Sequence, residues 1–463
     1  MDFDLIIIGS GPGGYVAAIR ASQLKMKVAV VEKAELGGVC LNWGCIPTKA
    51  LLKSAHVLDY LNHASEFGIK ISGEIKADFS SIISRSRTIA EGRSKGVQFL
   101  FRKNNITHIM GFGRLSGQNN IEVENPDGSI KVYSAKNIIL ATGARSKELP
   151  NLKQDGKKII GYREAMTLPE QPASLLVVGS GAIGSEFANF YRLLGTEVTL
   201  VELLPRLVPN EDEEISKQLE RSFKKLKIRI MTDSSVESVD TSYDKCHVTV
   251  KTPKGNEKVE TDIVLSAVGV TPNIDGIGLE SAGVKTERGK IVVDDYYRTS
   301  VPGIYAIGDV IPGPALAHVA SAEGIICVEK MAGLEVDPLD YNNIPSCTYT
   351  SPEIASCGMT EAAAREAGYD IKVGKFPFTA SGKANASGAK EGFVKLIFDS
   401  AYGELLGAHM IGESVTEMIS EIVVARKLET TGREIIKSVH PHPTMSEAIM
   451  DAAAAAYDEA INI

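Results

Sequence analysis

The sequence predicts an α/β protein that carries one strand–turn–helix–strand unit twice and ends in an α+β domain. A glycine-rich turn follows an apolar strand near residue 9 and again near residue 179. Each turn leads into helical periodicity and then a second apolar strand closed by a glutamate. Beyond about residue 343 the pattern changes to alternating strands followed by helices, with no third glycine turn.

Residues 3–8, Phe-Asp-Leu-Ile-Ile-Ile, read as a buried parallel strand. The turn Gly9-Ser10-Gly11-Pro12-Gly13-Gly14 follows, then a helix over 15–25 and a strand over 27–31. Glu32 closes that strand, 18 residues after Gly14. The whole is a dinucleotide-binding pattern in context. Gly9, Gly11 and Gly14 allow the turn and a close pyrophosphate, the helix N-terminus favours phosphate, and the acid meets ribose hydroxyls. The unit recurs with a strand over 175–178, the glycines Gly179, Gly181 and Gly184, a helix over 185–194 and a strand over 197–201. Glu202 again stands 18 residues past the last glycine. Two complete Rossmann-like units imply two dinucleotides, or a duplication with one inert copy.

Between the units, residues 121–132 read as a hairpin turning at Asn125-Pro126-Asp127-Gly128, and a separate strand over 137–140 runs into Ala141-Thr142-Gly143-Ala144. A matching stretch, 262–268, follows the second unit and leads into Gly269-Val270-Thr271-Pro272-Asn273; a strand at 304–308 then ends in Asp309. Boundaries are therefore expected near 143, 269 and 343. The first nucleotide domain spans 1–143 and 269–342, a second over 144–268 is inserted into it, and 343–463 forms the α+β domain. Strands of that last domain are expected at 372–378, 392–399 and 405–411.

Cys40 and Cys45 stand five residues apart, directly after the first unit, with Gly37, Gly38, Gly44 and Pro47 around them. A regular helix would hold their Cα atoms roughly 8.7 Å apart, whereas a disulfide wants less than about 7 Å. A bridge between them requires a bend, which Gly44 and Pro47 permit, and a short strained bridge is readily reduced. Two free cysteines in a buried helix remain the alternative. A redox pair here would sit beside the first nucleotide, and the carrier that exchanges electrons with both a disulfide and a nicotinamide is a flavin. FAD is therefore expected at the first site and a nicotinamide cofactor at the second. Glu202 favours NAD over NADP because a carboxylate repels a 2′-phosphate. Near the C-terminus, His440-Pro441-His442-Pro443-Thr444-Met445-Ser446-Glu447 offers an imidazole and an acid. Thr444 and Glu447 also fit a helix capping box.

Composition narrows the class further. At 463 residues the chain is too long for one core, and 44% apolar content is ordinary for a globular protein. A formal charge of −8 argues against generic nucleic-acid binding. Apolar runs fall far short of the ~20 residues of a membrane span, and no signal-peptide pattern opens the chain, so a cytoplasmic location is expected. Six cysteines in so long a chain make no disulfide framework. In a reducing compartment a C-x4-C pair points to catalysis. Cys246, Cys327, Cys347 and Cys357 read as small buried apolar residues, and no metal site is expected.

End to end, the chain resembles the flavoprotein disulfide reductases, and among them the branch that oxidises dihydrolipoyl groups. The marks are G-G-x-C-L-N-x-G-C-I-P-T-K over 37–49, A-T-G-A over 141–144 and G-x-G-x-x-G-x-E over 179–186. A-x-G-D over 306–309, L-A-H over 316–318 and H-x-H-P-T-x-S-E over 440–447 complete them. The resemblance implies that Cys40 is the interchange thiol and Cys45 the flavin-proximal one. It implies that Lys49 stands near the flavin with Glu186 as its ion-pair partner, although a solvated helix lysine and a first-turn acid are the plain readings of those two. Asp309 would bind the ribitol, while Thr142, Gly143, Ala315, Leu316, Ala317 and His318 would line the flavin. Gly113 matches a backbone FAD contact, and Val236 and Gly269 match NAD contacts. His442 resembles the acid–base histidine and Glu447 the acid that orients it, both reaching the site of the other subunit in a homodimer. The His442–Pro443 bond is cis in such proteins.

The implied reaction is oxidation of protein-bound dihydrolipoyl groups with reduction of NAD⁺. The lipoyl group is expected on another protein, an acyltransferase of a 2-oxoacid dehydrogenase complex or a glycine-cleavage carrier. An NAD(P)H-dependent reductase of another disulfide or of mercuric ion is the runner-up. Glu202 disfavours NADPH, and residues 456–463 lack the extra cysteine pair of mercuric reductases. Two departures stand out: Val270 replaces an arginine common in relatives, and Pro441 sits where a small residue is usual.

Overall fold

The computed structural model describes residues 1–463. Its chain divides into two compact units, 1–50 with 80–147 and 270–339, and 51–79 with 148–269 and 340–463.

In the first unit, β1 (Phe3–Ile8) lies between β2 (Val28–Glu32) and β6 (Ile130–Leu140), parallel to both, with Ile6 opposite Ala29 and Ile138. β3 (Thr107–Met110) extends the sheet beyond β2, and the strand Ile304–Ala306 pairs parallel to β6. Leu5, Ile6 and Ile7 are fully buried, as a strand covered on both faces must be. α1 (Pro12–Gln23) crosses from β1 to β2, and it begins at Pro12, three residues before the expected start at 15. Proline suits a first helical turn, and the following glycines hide the periodicity. The glycine turn thus stands at the carboxyl edge of β1, where the sheet reverses order between β1 and β6 and a crevice opens.

The expected hairpin is present but its second strand does not stop. β5 (Asn120–Glu124) pairs antiparallel with 130–134 of β6, while 135–140 of the same strand pairs parallel with β1. The separate strand expected over 137–140 is therefore a correction: the half-exposed Tyr133-Ser134 and the exposed Lys136 mark a change of partner rather than a break. β4 (Phe112–Leu115) completes that edge.

The second unit repeats the parallel theme. Arg229–Met231, Glu197–Val201, Ser174–Val178, Ile263–Ser266 and Ile159–Ile160 form a five-stranded sheet, with the helix Ala182–Leu193 after the second glycine turn. An antiparallel three-stranded sheet spans Ser235–Asp240, Cys246–Thr252 and Gly255–Thr261. The α+β part has a five-stranded antiparallel sheet in the order Ser346–Thr348, Glu353–Gly358, Leu405–Gly412, Phe393–Asp399, Ile371–Pro377. Every residue of its two central strands, 393–399 and 405–412, is buried. The helices Val415–Lys427 and Glu447–Ala455 pack into the same core. Cys246, Cys327 and Cys357 are buried, as expected; Cys347 is half-buried. No helix is long and apolar enough to cross a membrane.

Candidate active site

The two glycine turns are built alike. Gly9 and Gly179 have φ of +105° and +96°, where a side chain is strained. A Cβ on Gly14 would fall 2.0 Å from the Gly9 oxygen, and one on Gly184 would fall 1.9 Å from the Gly179 oxygen, so only glycine lets the helix pack on its own turn. By contrast a Cβ on Gly11 or Gly181 would meet nothing within 4 Å: that side of each turn is open. Glu32 Oε2 accepts from the Ser10 amide at 3.0 Å and its hydroxyl at 2.7 Å, and Oε1 accepts from the Ala34 amide at 3.0 Å. Glu202 repeats this with Ser180 at 2.8 and 2.7 Å and the Leu204 amide at 2.9 Å. A carboxylate offers about four acceptor positions. Three are used in each acid, so each is fixed in place with one left for a ribose hydroxyl. Open turns facing oriented acids fit dinucleotides at both places. The two serines that orient these acids are residues that glycine spacing alone misses, and the repeated Gly-Ser-Gly was the signal for them.

The cysteine segment hangs from the first turn. Gly37 N–H donates to the Ser10 carbonyl at 3.1 Å, and a Cβ on Gly38 would lie 2.7 Å from the Gly11 Cα. α2 (Gly38–Trp43) ends at Gly44, with φ −148° and ψ −115°, and α3 (Cys45–Asn62) begins at once. The helix is thus broken between Cys40 and Cys45. The Thr48 hydroxyl and amide both donate to the Gly44 carbonyl, at 2.7 and 3.0 Å, and seal the break. α4 (Phe79–Lys103) braces it from outside: Arg87 donates to the Asn42 carbonyl and lies over the Trp43 ring, and Ser86 donates to the Pro47 carbonyl. Cys40 and Cys45 stand as two thiols, Cys40 half-buried and Cys45 exposed. The hydrogen bond between them and burial hold Cys40 protonated well above the usual thiol range, with the Lys49 charge opposing. Lys49 lies one turn into α3.

Other expected residues of the first unit gather along the same edge. Gly113, on β4, packs against Val31 and Ile8. Thr142 and Gly143 are held by Asn273. The Thr142 hydroxyl donates to the Asn273 carbonyl at 2.7 Å, Asn273 Nδ2 donates to the Thr142 carbonyl at 3.0 Å, and the Asn273 amide donates to Gly143 at 2.8 Å. Asp309 sits in a short 3₁₀ turn, Gly308–Val310, where burial pushes its carboxyl pKa up against the Lys290 charge. Glu323, 1% exposed on the helix Ala317–Met331, accepts from the Gly308 amide at 2.6 Å and fixes that turn. Sequence reading missed Glu323; an acid on the buried face of a helix was its only trace. Ala315 and Leu316 precede that helix, and Ala317 and His318 open it.

In the second unit, Glu186 is 4% exposed and its Oε1 accepts from the Tyr349 amide at 3.0 Å. Val236 is buried, its carbonyl taken by Asn151 at 2.6 Å, and Gly269 has φ +106° with open space where a Cβ would go. Val270 is 38% exposed. His442 Nδ1 lies 2.9 Å from Glu447 Oε1, and the Thr444 amide donates to Glu447 Oε2 at 2.8 Å. Only this half of the expected capping box forms, because the Thr444 hydroxyl donates to the Pro441 carbonyl instead. Each oxygen of Glu447 thus has its own partner, the imidazole for one and the Thr444 amide for the other. Burial raises the Glu447 pKa, but the Thr444 amide and His442 outweigh it and the group stays below the usual range. A carboxylate only accepts, so His442 Nδ1 carries the proton and Nε2 is the basic nitrogen. The His442–Pro443 peptide is cis.

Comparison with known proteins agrees with this geometry. The pyridine nucleotide-disulphide oxidoreductase family matches residues 3–324, and the dimerisation domain of the same family matches 344–453. A dihydrolipoyl dehydrogenase of Rhizobium etli is 48% identical, with 99% of each chain covered, and one of Zymomonas mobilis is 49% identical over the same shares. The crystal structure of LpdA from Mycobacterium tuberculosis superposes with a TM-score of 0.90 at 29% identity, covering 97% of this chain and 98% of that one. The chain belongs to the pyridine nucleotide-disulphide oxidoreductase family.

Proposed function

We propose that this chain oxidises dihydrolipoyl groups carried on partner proteins and reduces NAD⁺ to NADH. The observation that carries the reading is the broken helix that puts Cys40 and Cys45 in contact and hangs them from the first glycine turn. FAD bound at that turn, through Gly9, Gly11, Gly14, Glu32, Gly113, Thr142, Gly143, Asp309 and residues 315–318, would supply the two-electron carrier between dithiol and nicotinamide. Lys49, paired with Glu186, belongs to the same proposal. NAD⁺ would lie at Gly179, Gly181, Gly184 and Glu202, with backbone contacts from Val236 and Gly269. On this reading the FAD domain comprises 1–143 and 269–342, the NAD domain 144–268 and the dimerisation domain 343–463.

The residues supply the proton chemistry. A substrate thiol with pKa near 8.5 is mostly protonated at neutral pH, and only the thiolate attacks a disulfide. His442 Nε2 takes that proton, and Glu447 stabilises the resulting imidazolium. Thiolate attack on Cys40 opens the Cys40–Cys45 bridge and forms a mixed disulfide; the second substrate thiolate then displaces Cys40 and leaves as the cyclic disulfide. The enzyme keeps both electrons as its dithiol, and NAD⁺ finally receives them with one proton. Cys40 leaves that displacement as a thiolate, and contact with Cys45 and burial favour its thiol, so the His442 imidazolium has a second duty in returning a proton to it. His442 is 78% exposed in the single chain, consistent with delivery to the site of a second copy in a homodimer. The partners would be a lipoyl-bearing acyltransferase or a glycine-cleavage carrier, in the cytoplasm.

The test is an initial-rate comparison of dihydrolipoamide with NAD⁺ against glutathione disulfide with NADPH. Turnover in the first pair alone is expected, and preference for the second would overturn the reading. Cys45→Ser should abolish turnover while the protein stays yellow; full activity in that variant would equally sink it.

A further inference from the structure

The C-terminal loop carries two histidine–glutamate pairs in opposite situations. His442 is 78% exposed and commits one nitrogen to Glu447. The His440 side chain is 6% exposed and commits both: Nε2 lies 2.8 Å from Glu421 Oε1, and Nδ1 lies 3.0 Å from the Ser438 carbonyl. A carbonyl and a carboxylate can only accept, so both ring nitrogens donate and the ring is an imidazolium. Glu421 stands on the helix Val415–Lys427, whose Val415, Met418, Ile419 and Ile422 are buried in the core of the antiparallel sheet. The pair therefore moors residues 438–442 to a packed element, two residues before the reactive ring.

We propose that His440 is a positioning residue: a standing imidazolium, clamped between Glu421 and the Ser438 carbonyl, that fixes the loop presenting His442 and itself exchanges no proton during turnover. This rests on the reading of His442 as the acid–base group and deepens it. The groups that face His440 are Glu421 from its own mooring helix and Glu447 and Asp451 from the helix Glu447–Ala455. All are acids. The Glu421 hydrogen bond raises the His440 pKa against the opposing effect of burial, with the Ser438 carbonyl and the Glu421 and Glu447 charges adding to it. A neutral ring has one donor for two acceptors, so deprotonation must release either Ser438 or Glu421. The same loop thus holds one histidine kept charged for mooring and one left to cycle.

The experiment labels the histidine Cε1 positions of the FAD-loaded full-length protein with ¹³C and follows them by NMR against pH. The His440 signal is assigned by its loss in His440→Asn, or by its displacement in Glu421→Gln should the first variant misfold. The expected result is a histidine that stays protonated well above the ordinary value of about 6.5 and returns toward it in Glu421→Gln. The pH profile of kcat supplies the second readout. Glu421→Gln should gain a descending limb as pH rises through the ordinary histidine range, absent in the parent, and Glu421→Asp, which keeps the charge, should remove most of it. His440→Asn should lower kcat about tenfold, the order of one lost charged hydrogen bond, with KM for NAD⁺ unchanged. A His440 that titrates at or below the ordinary value, or a Glu421→Gln profile identical to the parent's, overturns the proposal. Failure of the underlying functional reading looks different: the parent then shows no dihydrolipoamide–NAD⁺ turnover at all, while the NMR titration is unaffected.

Discussion

The two glycine turns match in three glycines, a serine and a closing acid, and part at two residues, Pro12 against Ala182 and a second that changes their surroundings. Gly13 of the first is Ile183 in the second. A Cβ on Gly13 would lie 3.1 Å from the Ala320 oxygen and 3.2 Å from Ile307, and one on Gly324 would lie 2.8 Å from the Gly13 oxygen. The helix Ala317–Met331 therefore lies directly on α1, and an ion pair from Arg20 to Glu329 at 2.6 Å ties them. Ile183, by contrast, is 37% exposed. The first turn is backed at Gly13 by a second helix while its Gly11 side stays open, which suits a nucleotide that stays; the second lacks that backing, which suits one that must leave each cycle. The difference is in the backing, not in the grip.

The fastenings differ as well. The first unit joins α1 to its covering helix by close backbone packing. In the second, the stretch after the glycine turn is joined to the antiparallel sheet by charge. Lys395, 2% exposed, reaches Asp212 at 3.0 Å, Glu214 at 3.0 Å and Glu361 at 2.7 Å. Lys395→Met should break this contrast most severely, by about 3 kcal/mol, the low end for a broken buried pair because Glu214 and Glu361 stay partly in water. A fall in Tm with flavin still bound is the expected reading. Acid should reach the same cluster. Asp212, Glu214 and Glu361 are all held below their ordinary pKa values, each gaining from Lys395 against the cost of burial. Their contribution is present above the unfolded carboxylate range of about 3.9–4.3 and is lost as pH falls through the lower folded values. Lys395 is shifted upward, so its own share is lost only in strong alkali. Melting curves between pH 3 and 7 should show a steep acid limb that Lys395→Met flattens.

Copying the second turn into the first tests the backing. Gly13→Ile should force α1 and its covering helix apart, at roughly 1–3 kcal/mol for an overpacked contact, and purified protein should lose its flavin absorbance. Removal of the serine clasps comes next. Ser180→Ala leaves Glu202 with one hydrogen bond fewer, about 1 kcal/mol, so KM for NAD⁺ should rise about fivefold. Ser10→Ala should release flavin faster on dilution while leaving that KM alone. The smallest effect belongs to Ile183→Ala, within about 0.5 kcal/mol for an exposed site, read as an unchanged Tm.

Much of this was legible in the chain. Both glycine turns and their acids announced themselves because steric exclusion at Gly9, Gly14, Gly179 and Gly184 leaves no other residue possible. The break at Gly44 was legible only conditionally: a bridge between Cys40 and Cys45 requires a bend, and Gly44 and Pro47 are the residues that permit one. What stayed hidden were residues whose partners come from far along the chain. Glu323 and Asn273 hold turns 15 and about 130 residues away, and local sequence does not name those partners. β6 was cut in two because a strand that changes neighbours halfway loses its apolar signature where it crosses. His440 was visible but undistinguished, since only the structure shows which of two histidines is buried.

Glu447 spends one oxygen on the fold and the other on the ring proposed as the base. A shorter acid there, Glu447→Asp, could reach the Thr444 amide or the imidazole but not both, so architecture and chemistry at this spot share a single side chain and must change together. Drift along such a chain is barred at this residue twice over, and a redesign of the base would have to begin by giving the helix another start.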